Sequence, residues 1–219
     1  MIKNEQQLKN ILLILQKEGV LENTILIGSW CLLFYKYIFE NFSPTVRTSD
    51  IDFYVPNAKS INEKDNLVRS LKMINFDPTY DILTNKTKFI SPDGFELEFL
   101  TKLNRNNSPC VQLGNTKIYA ESISYLEIYS ANYIEVNYDG ILVKVASPAS
   151  YILQKLLINQ RRTPEKQEKD IESIKNVLPY ILISKKYSAE LKGLFESLPK
   201  KWKKKIVDII NQNDIKFEF

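Results

Sequence analysis

The chain has 219 residues, with 44% hydrophobic side chains, 30 Lys and Arg against 26 Asp and Glu, six Gly, nine Pro and no His. A chain of this length buries a sizeable core in one or two domains, and its low Gly and Pro content excludes a disordered, collagen-like or linker-dominated sequence. The absence of histidine removes Ser–His–Asp and Cys–His catalysis, haem ligation by His and the usual zinc sites, leaving carboxylates, lysines, hydroxyls and hard cations such as Mg²⁺ to carry any chemistry.

Residues 5–18 place Leu8, Ile11, Leu12 and Leu15 on one helical face. Residues 24–27 form a short apolar, β-branched run that reads as a buried strand ending at Gly28. Ser29 is then expected to cap a helix to about residue 40, followed by a polar loop over 41–49. Residues 50–55 alternate like a strand and stop at Pro56, and a helix carrying Leu67, Val68, Leu71 and Met73 follows. Strands are expected at 88–91 and 95–101 around the Pro92-Asp93-Gly94 turn, with extended segments within 111–120 and a short helix over 122–130. Asp139-Gly140 supplies the positive φ of a tight hairpin between 133–136 and 141–145. From Pro148 onward the pattern is helical, over 148–160, 165–177, 188–197 and 200–212, with Pro164, Pro179 and Pro199 as punctuation. The expected plan is an α+β class chain, with a mixed α/β unit over 1–146 and a helical unit over 147–219.

The longest uncharged apolar stretch, 24–35, is well short of the roughly 18–20 residues that span a bilayer, and the N-terminus is polar and mixed in charge, so a soluble, cytoplasmic protein without a membrane partner is expected. Cys31 and Cys110 stand far apart outside any CxxC pattern and read as free thiols.

Three segments carry candidate chemistry. Gly28-Ser29 stands at a strand-to-helix junction, where a glycine allows close approach of backbone to a ligand and free N–H groups attract phosphate; an ordinary helix cap has the same appearance. In Ser49-Asp50-Ile51-Asp52-Phe53, alternation puts both aspartates on one strand face, a natural clamp for a hard divalent cation. Aspartate is disfavoured in strands, so two inside an apolar strand need a reason, although solvated acids at an exposed edge would also supply one. Residues 94–100 repeat the pattern with Glu96 and Glu98, either of which could be a third acid or simply part of a wet strand face.

A strand ending in Gly-Ser, a D-x-D strand and a later strand acid together resemble the nucleotidyltransferase (polymerase-β-like) superfamily. The segment from Pro148 through Lys155-Leu156, Arg161-Arg162 and Lys169-Asp170 resembles the helical region of bacterial nucleotidyltransferase-like proteins related to the AbiEii-type toxins. The resemblance covers about residues 20–180, and the 20 residues between Ser29 and Asp50 exceed the compact spacing of minimal members. It implies a nucleotidyltransferase-fold mixed sheet flanked by helices, and transfer of an NMP from an NTP to a hydroxyl with release of pyrophosphate. Asp50, Asp52 and Glu98 would be the catalytic acids and the ligands of Mg²⁺ or Mn²⁺, with Glu98 favoured over Glu96. Gly28, Ser29, Arg47, Lys155, Arg162 and Lys169 would hold the nucleotide. An RNA or protein acceptor, and an antitoxin or regulatory partner, are compatible with it, as is a small hydroxylated acceptor.

Two alternatives remain at this point. One is a non-catalytic module of the same fold. The other is a basic nucleic-acid-binding protein using residues 185–205, which hold eight lysines against Glu190 and Glu196; a solvated helix face accounts for the same run.

Overall fold

The computed structural model describes residues 3–43, 48–104 and 107–217. The apolar stripe of the first helix, α1 (Lys3–Lys17), is fully buried at Leu8, Ile11, Leu12 and Leu15, as its spacing predicts. Strand β1 (Ile25–Ile27) follows, then a 3₁₀ turn at Gly28–Trp30 and a short helix α2 (Cys31–Tyr35). The helix expected from Ser29 is therefore shorter and starts differently. Gly28 takes a left-handed φ of 70°, which ends the strand in a tight turn, and no side chain caps either segment. All five residues of α2 are buried, so burial on every side rather than a cap holds it.

Strands β2 (Asp50–Tyr54), β3 (Asp77–Tyr80), β4 (Thr87–Ile90) and β5 (Glu96–Lys102) come next, with α3 (Leu67–Lys72) between the first two. The strands β6 (Cys110–Gln112) and β7 (Tyr119–Ile123) precede the hairpin β8 (Tyr133–Tyr138) and β9 (Ile141–Ala146). Asp139 and Gly140, with φ of 51° and 85°, form its turn, as their sequence requires. The short helix expected over 122–130 is reduced to a 3₁₀ turn at Leu126–Tyr129, because residues 121–123 pair with the far end of β5 instead.

Among the described residues one nine-stranded mixed sheet runs β3-β4-β5-β2-β1-β9-β8, with β7 on β5 and β6 on β7. β2 lies parallel to β5 and antiparallel to β1. One edge of β5 is shared: its first half pairs with β4 and its last residues with β7.

The chain leaves the sheet at Ala146, and Ser147 caps α4 (Pro148–Ile158) by accepting the Ser150 N–H at 3.2 Å, with Pro148 at the first helical position. α5 (Pro164–Ile183), α6 (Lys185–Ser197) and α7 (Lys200–Gln212) complete the helical region. Pro179, expected to separate helices, lies inside α5 on its exposed side, where burial of Val177, Leu178 and Ile181 outweighs the lost hydrogen bond. One hydrophobic core runs from the sheet into these helices, joined by contacts such as Tyr35 with Tyr151 and the Tyr35 hydroxyl donating to the Ala146 carbonyl. Both cysteines are free thiols, and among the described residues no helix is long and apolar enough to cross a membrane.

Candidate active site

The end of β1 is packed directly on β2. Ile27 is the register partner of Asp52, and a Cβ added at the next residue, Gly28, would come within 2.9 Å of Asp52 Oδ2. Left-handed backbone and close approach both require glycine here. Ser29 lies half-buried in the same turn.

Alternation along β2 exposes Asp50 and half-buries Asp52 on one face, while Ile51 and Phe53 enter the core on the other. On β5 the same alternation buries Leu97 and Phe99, and Phe99 meets Phe53 at 6.2 Å between ring centroids. The parallel register sets Asp50 beside Glu96 and Asp52 beside Glu98. Neighbouring strands run about 4.8 Å apart, so four carboxylates form a compact block on one sheet face. The structure thus puts Glu98, not Glu96, at the side of Asp52.

Strand β4 and the residue just before it add two cations that the sequence reading missed. Lys88 is the register partner of Glu98 and bonds both Glu98 Oε1 and Glu96 Oε2, the latter at 2.8 Å. Lys86, two residues earlier, lies 3.0 Å from Glu98 Oε2 and also bonds Glu121 on β7. Glu98 is 9% exposed and has a lysine on each oxygen. Two lysines spaced by two at the start of an expected strand were the available signal, but only the tertiary structure shows which acid they meet.

Burial and the neighbouring charges of Glu98 and Asp50 push the Asp52 carboxyl up to about 7, against the opposing pull of Arg162 and Lys86. Burial works in the same direction on Glu98, but hydrogen bonds from Lys88 and Lys86 overcome it and hold Glu98 below the usual carboxylate range.

From the helical region Arg162 acts electrostatically on this face, pulling the Asp52 carboxyl down. Its Nε stands 3.0 Å from Asp170 Oδ2, aligned as an ion pair rather than a hydrogen bond, and its side chain remains partly exposed. Lys155, expected to reach the nucleotide, is buried instead and bonds the other Asp170 oxygen, with its ammonium 5.1 Å from the Tyr151 ring centroid. The seven-residue spacing of Lys155 and Arg162 suggests one helical face. In the structure α4 ends at Ile158, a 3₁₀ turn intervenes, and the two cations converge on Asp170. Asp170 therefore pairs across helices rather than with its neighbour Lys169, which is exposed on α5. Arg161 turns aside to Ser124 Oγ at 3.0 Å. Arg47 lies outside the described residues.

Asp50 and Asp52 fit a divalent cation: their donors are hard oxygens, they share a face, and a cation between them would relieve the repulsion that raises Asp52. Glu98 does not fit as a third ligand in this arrangement, since both its oxygens are engaged. Among the described residues no group of three or more acidic or thiol side chains is arranged to hold a metal.

The sequence profile of the family described as nucleotidyltransferase matches residues 6–193 of the chain. No curated protein sequence matches. Among solved structures, the fold is similar to an antigenic nucleotidyltransferase-like protein from Paracoccidioides brasiliensis, with a TM-score of 0.57, 18% identity, and coverage of 93% of this chain and 87% of that one. It is also similar to ANT(2")-Ia, solved in complex with adenylyl-2"-tobramycin, with a TM-score of 0.51, 12% identity, and coverage of 94% and 97% respectively.

Proposed function

The chain belongs to the nucleotidyltransferase family, and on that footing we propose that it moves an NMP from an NTP to a hydroxyl of an acceptor, releasing pyrophosphate. The observation that carries this reading is the placement of Asp52 under the left-handed Gly28 turn, with Asp50 and Glu98 beside it on the same sheet face.

Asp50 and Asp52 would hold Mg²⁺ or Mn²⁺, which when bound neutralises phosphate charge and polarises the phosphoryl oxygens. The Gly28-Ser29 turn would present backbone N–H groups and the Ser29 hydroxyl to the β- and γ-phosphates. Arg162, partly exposed and acting electrostatically on Asp52, adds positive charge from the helical side. Lys155 serves by neutralising Asp170 and so holding the Arg162 anchor, and Lys169 and Arg47 remain candidates for outer phosphate contacts. The acceptor oxygen attacks the α-phosphorus, the bond from that phosphorus to the bridging β-oxygen breaks, and pyrophosphate leaves with the electron pair. The proton of the acceptor hydroxyl passes to a carboxylate of this face; Glu98, ionised and bonded to Lys86 and Lys88, would take it only where a lysine releases one of its oxygens. The AbiEii-type resemblance of the helical segment supports an RNA or protein acceptor and an antitoxin-like partner. The fold shared with ANT(2")-Ia supports a small hydroxylated acceptor equally.

Incubation with each α-³²P-labelled NTP, Mg²⁺ or Mn²⁺, total RNA and lysate tests the reading, beside an Asp50→Asn/Asp52→Asn control. Label on RNA, protein or a small molecule, lost in the control, is the expected result. No label in any lane would leave a non-catalytic module of the same fold.

A further inference from the structure

Five carboxylates and two ammonium groups share one patch of the sheet face, and they are not evenly mixed. Lys88 bridges Glu96 and Glu98, and Lys86 bridges Glu98 and Glu121. Each lysine is thus fixed by two acids, and both meet at Glu98, whose side chain is only 11% exposed. Asp50 and Asp52 stand one strand further away on β2, and neither is bonded to a lysine among the described ion pairs. The positive charge of the sheet is spent on the β5 acids, and the β2 acids keep their oxygens for a ligand.

Resting on the nucleotidyl-transfer reading above, we infer that this site takes one divalent cation, on Asp50 and Asp52, and that Lys86 and Lys88 stand at Glu98 in place of a second. An ammonium group is a compact point charge that can neutralise a carboxylate much as a cation does, but it cannot bind a phosphoryl or hydroxyl oxygen as a Lewis acid. For a second ion to reach Glu98, at least one lysine must leave it. That would strip Lys86, whose side chain is 19% exposed, of one of its two anionic partners. The register sets Lys88 directly across from Glu98, and Lys86, just before β4, is fixed by its ion pairs to Glu98 and Glu121.

Crystals of the full chain with Mn²⁺ and the α,β-methylene analogue of each NTP in turn, read by anomalous scattering at the manganese edge, count the ions directly. The expected map has one peak touching Asp50 and Asp52, with both lysine Nζ atoms still about 3 Å from Glu98. A second peak on Glu98, with the lysines turned away, overturns the inference and leaves nucleotidyl transfer standing. No peak at the aspartates overturns both. In a Lys86→Met/Lys88→Met variant a second peak is expected on Glu98; a folded variant that still shows one ion would remove the lysines from that role. If the variant does not fold, the wild-type count decides alone.

Discussion

Arg162 and Asp170 meet with Nε 3.0 Å from Oδ2, and through this contact the helical region brings a partly exposed cation to the acidic face of the sheet. Asp170 is 4% exposed and also balances the buried Lys155. Replacing Asp170 with Asn leaves the Lys155 ammonium buried without a counter-charge, at an expected cost of about 3–5 kcal/mol in denaturant unfolding. The same change frees Arg162, so affinity for the NTP that the protein binds, measured by titration of the folded protein, should fall by about tenfold, a loss of roughly 1.4 kcal/mol. If Asp170 acts through Arg162, an Arg162→Ala/Asp170→Asn double variant binds that NTP no more weakly than Arg162→Ala alone.

Gly28→Ala tests the turn over Asp52. The added Cβ would sit 2.9 Å from Asp52 Oδ2 on backbone with φ 70°. The left-handed conformation alone costs a non-glycine residue roughly 1–2 kcal/mol. The displaced carboxylate should lower transfer at least about a hundredfold, the scale set by misplacing a group by about an ångström. An alanine variant with full activity and unchanged melting temperature would disprove the close packing.

Asp52 gives the stability a pH dependence. Its folded pKa, about 7, lies above the ordinary carboxylate value, so the folded protein binds the proton more tightly than the unfolded chain. The Asp52 contribution is therefore present at low pH and is lost as pH rises from about 4 to 7. Asp52→Asn removes the half-buried charge, and at pH 8 it should stabilise the protein by about 1–2 kcal/mol, roughly 3–6 °C in melting temperature, with little effect at pH 4. Thermal melts of both proteins across this range check the sign.

Ser147→Ala tests how the helical region is launched from the sheet. The hydroxyl accepts the Ser150 N–H at 3.2 Å in a buried position, so its loss should cost about 0.5–2 kcal/mol in equilibrium unfolding. NTP affinity should not change, because Ser147 touches none of the proposed nucleotide contacts.

The face of each acid was legible from the sequence, and its partner was not. Alternation in Asp50-Ile51-Asp52-Phe53 and in Glu96-Leu97-Glu98-Phe99 specifies which side chains share a side, because successive strand residues point to opposite faces whatever lies beside them. The Asp139-Gly140 hairpin and the helical stripe of α1 were legible for the same reason: turn chemistry and periodicity are properties of a few adjacent residues. Ser29 as a helix cap misled, because burial of the following residues and the left-handed Gly28 set that turn instead.

Which acid stands beside which, and which cations neutralise them, are decided by contacts between residues distant in the chain. Glu98 rather than Glu96 flanks Asp52 because of the β2–β5 register, and Lys86 and Lys88 reach it because β4 folds back along β5. Lys155 turned from an expected nucleotide contact into the buried partner of Asp170 because α5 packs against α4. Local patterns determined the elements, the acidic face and the glycine at its rim. Strand order and helix packing alone decided how charge is shared across the site, since both are set by burial of a common core rather than by any neighbouring residue.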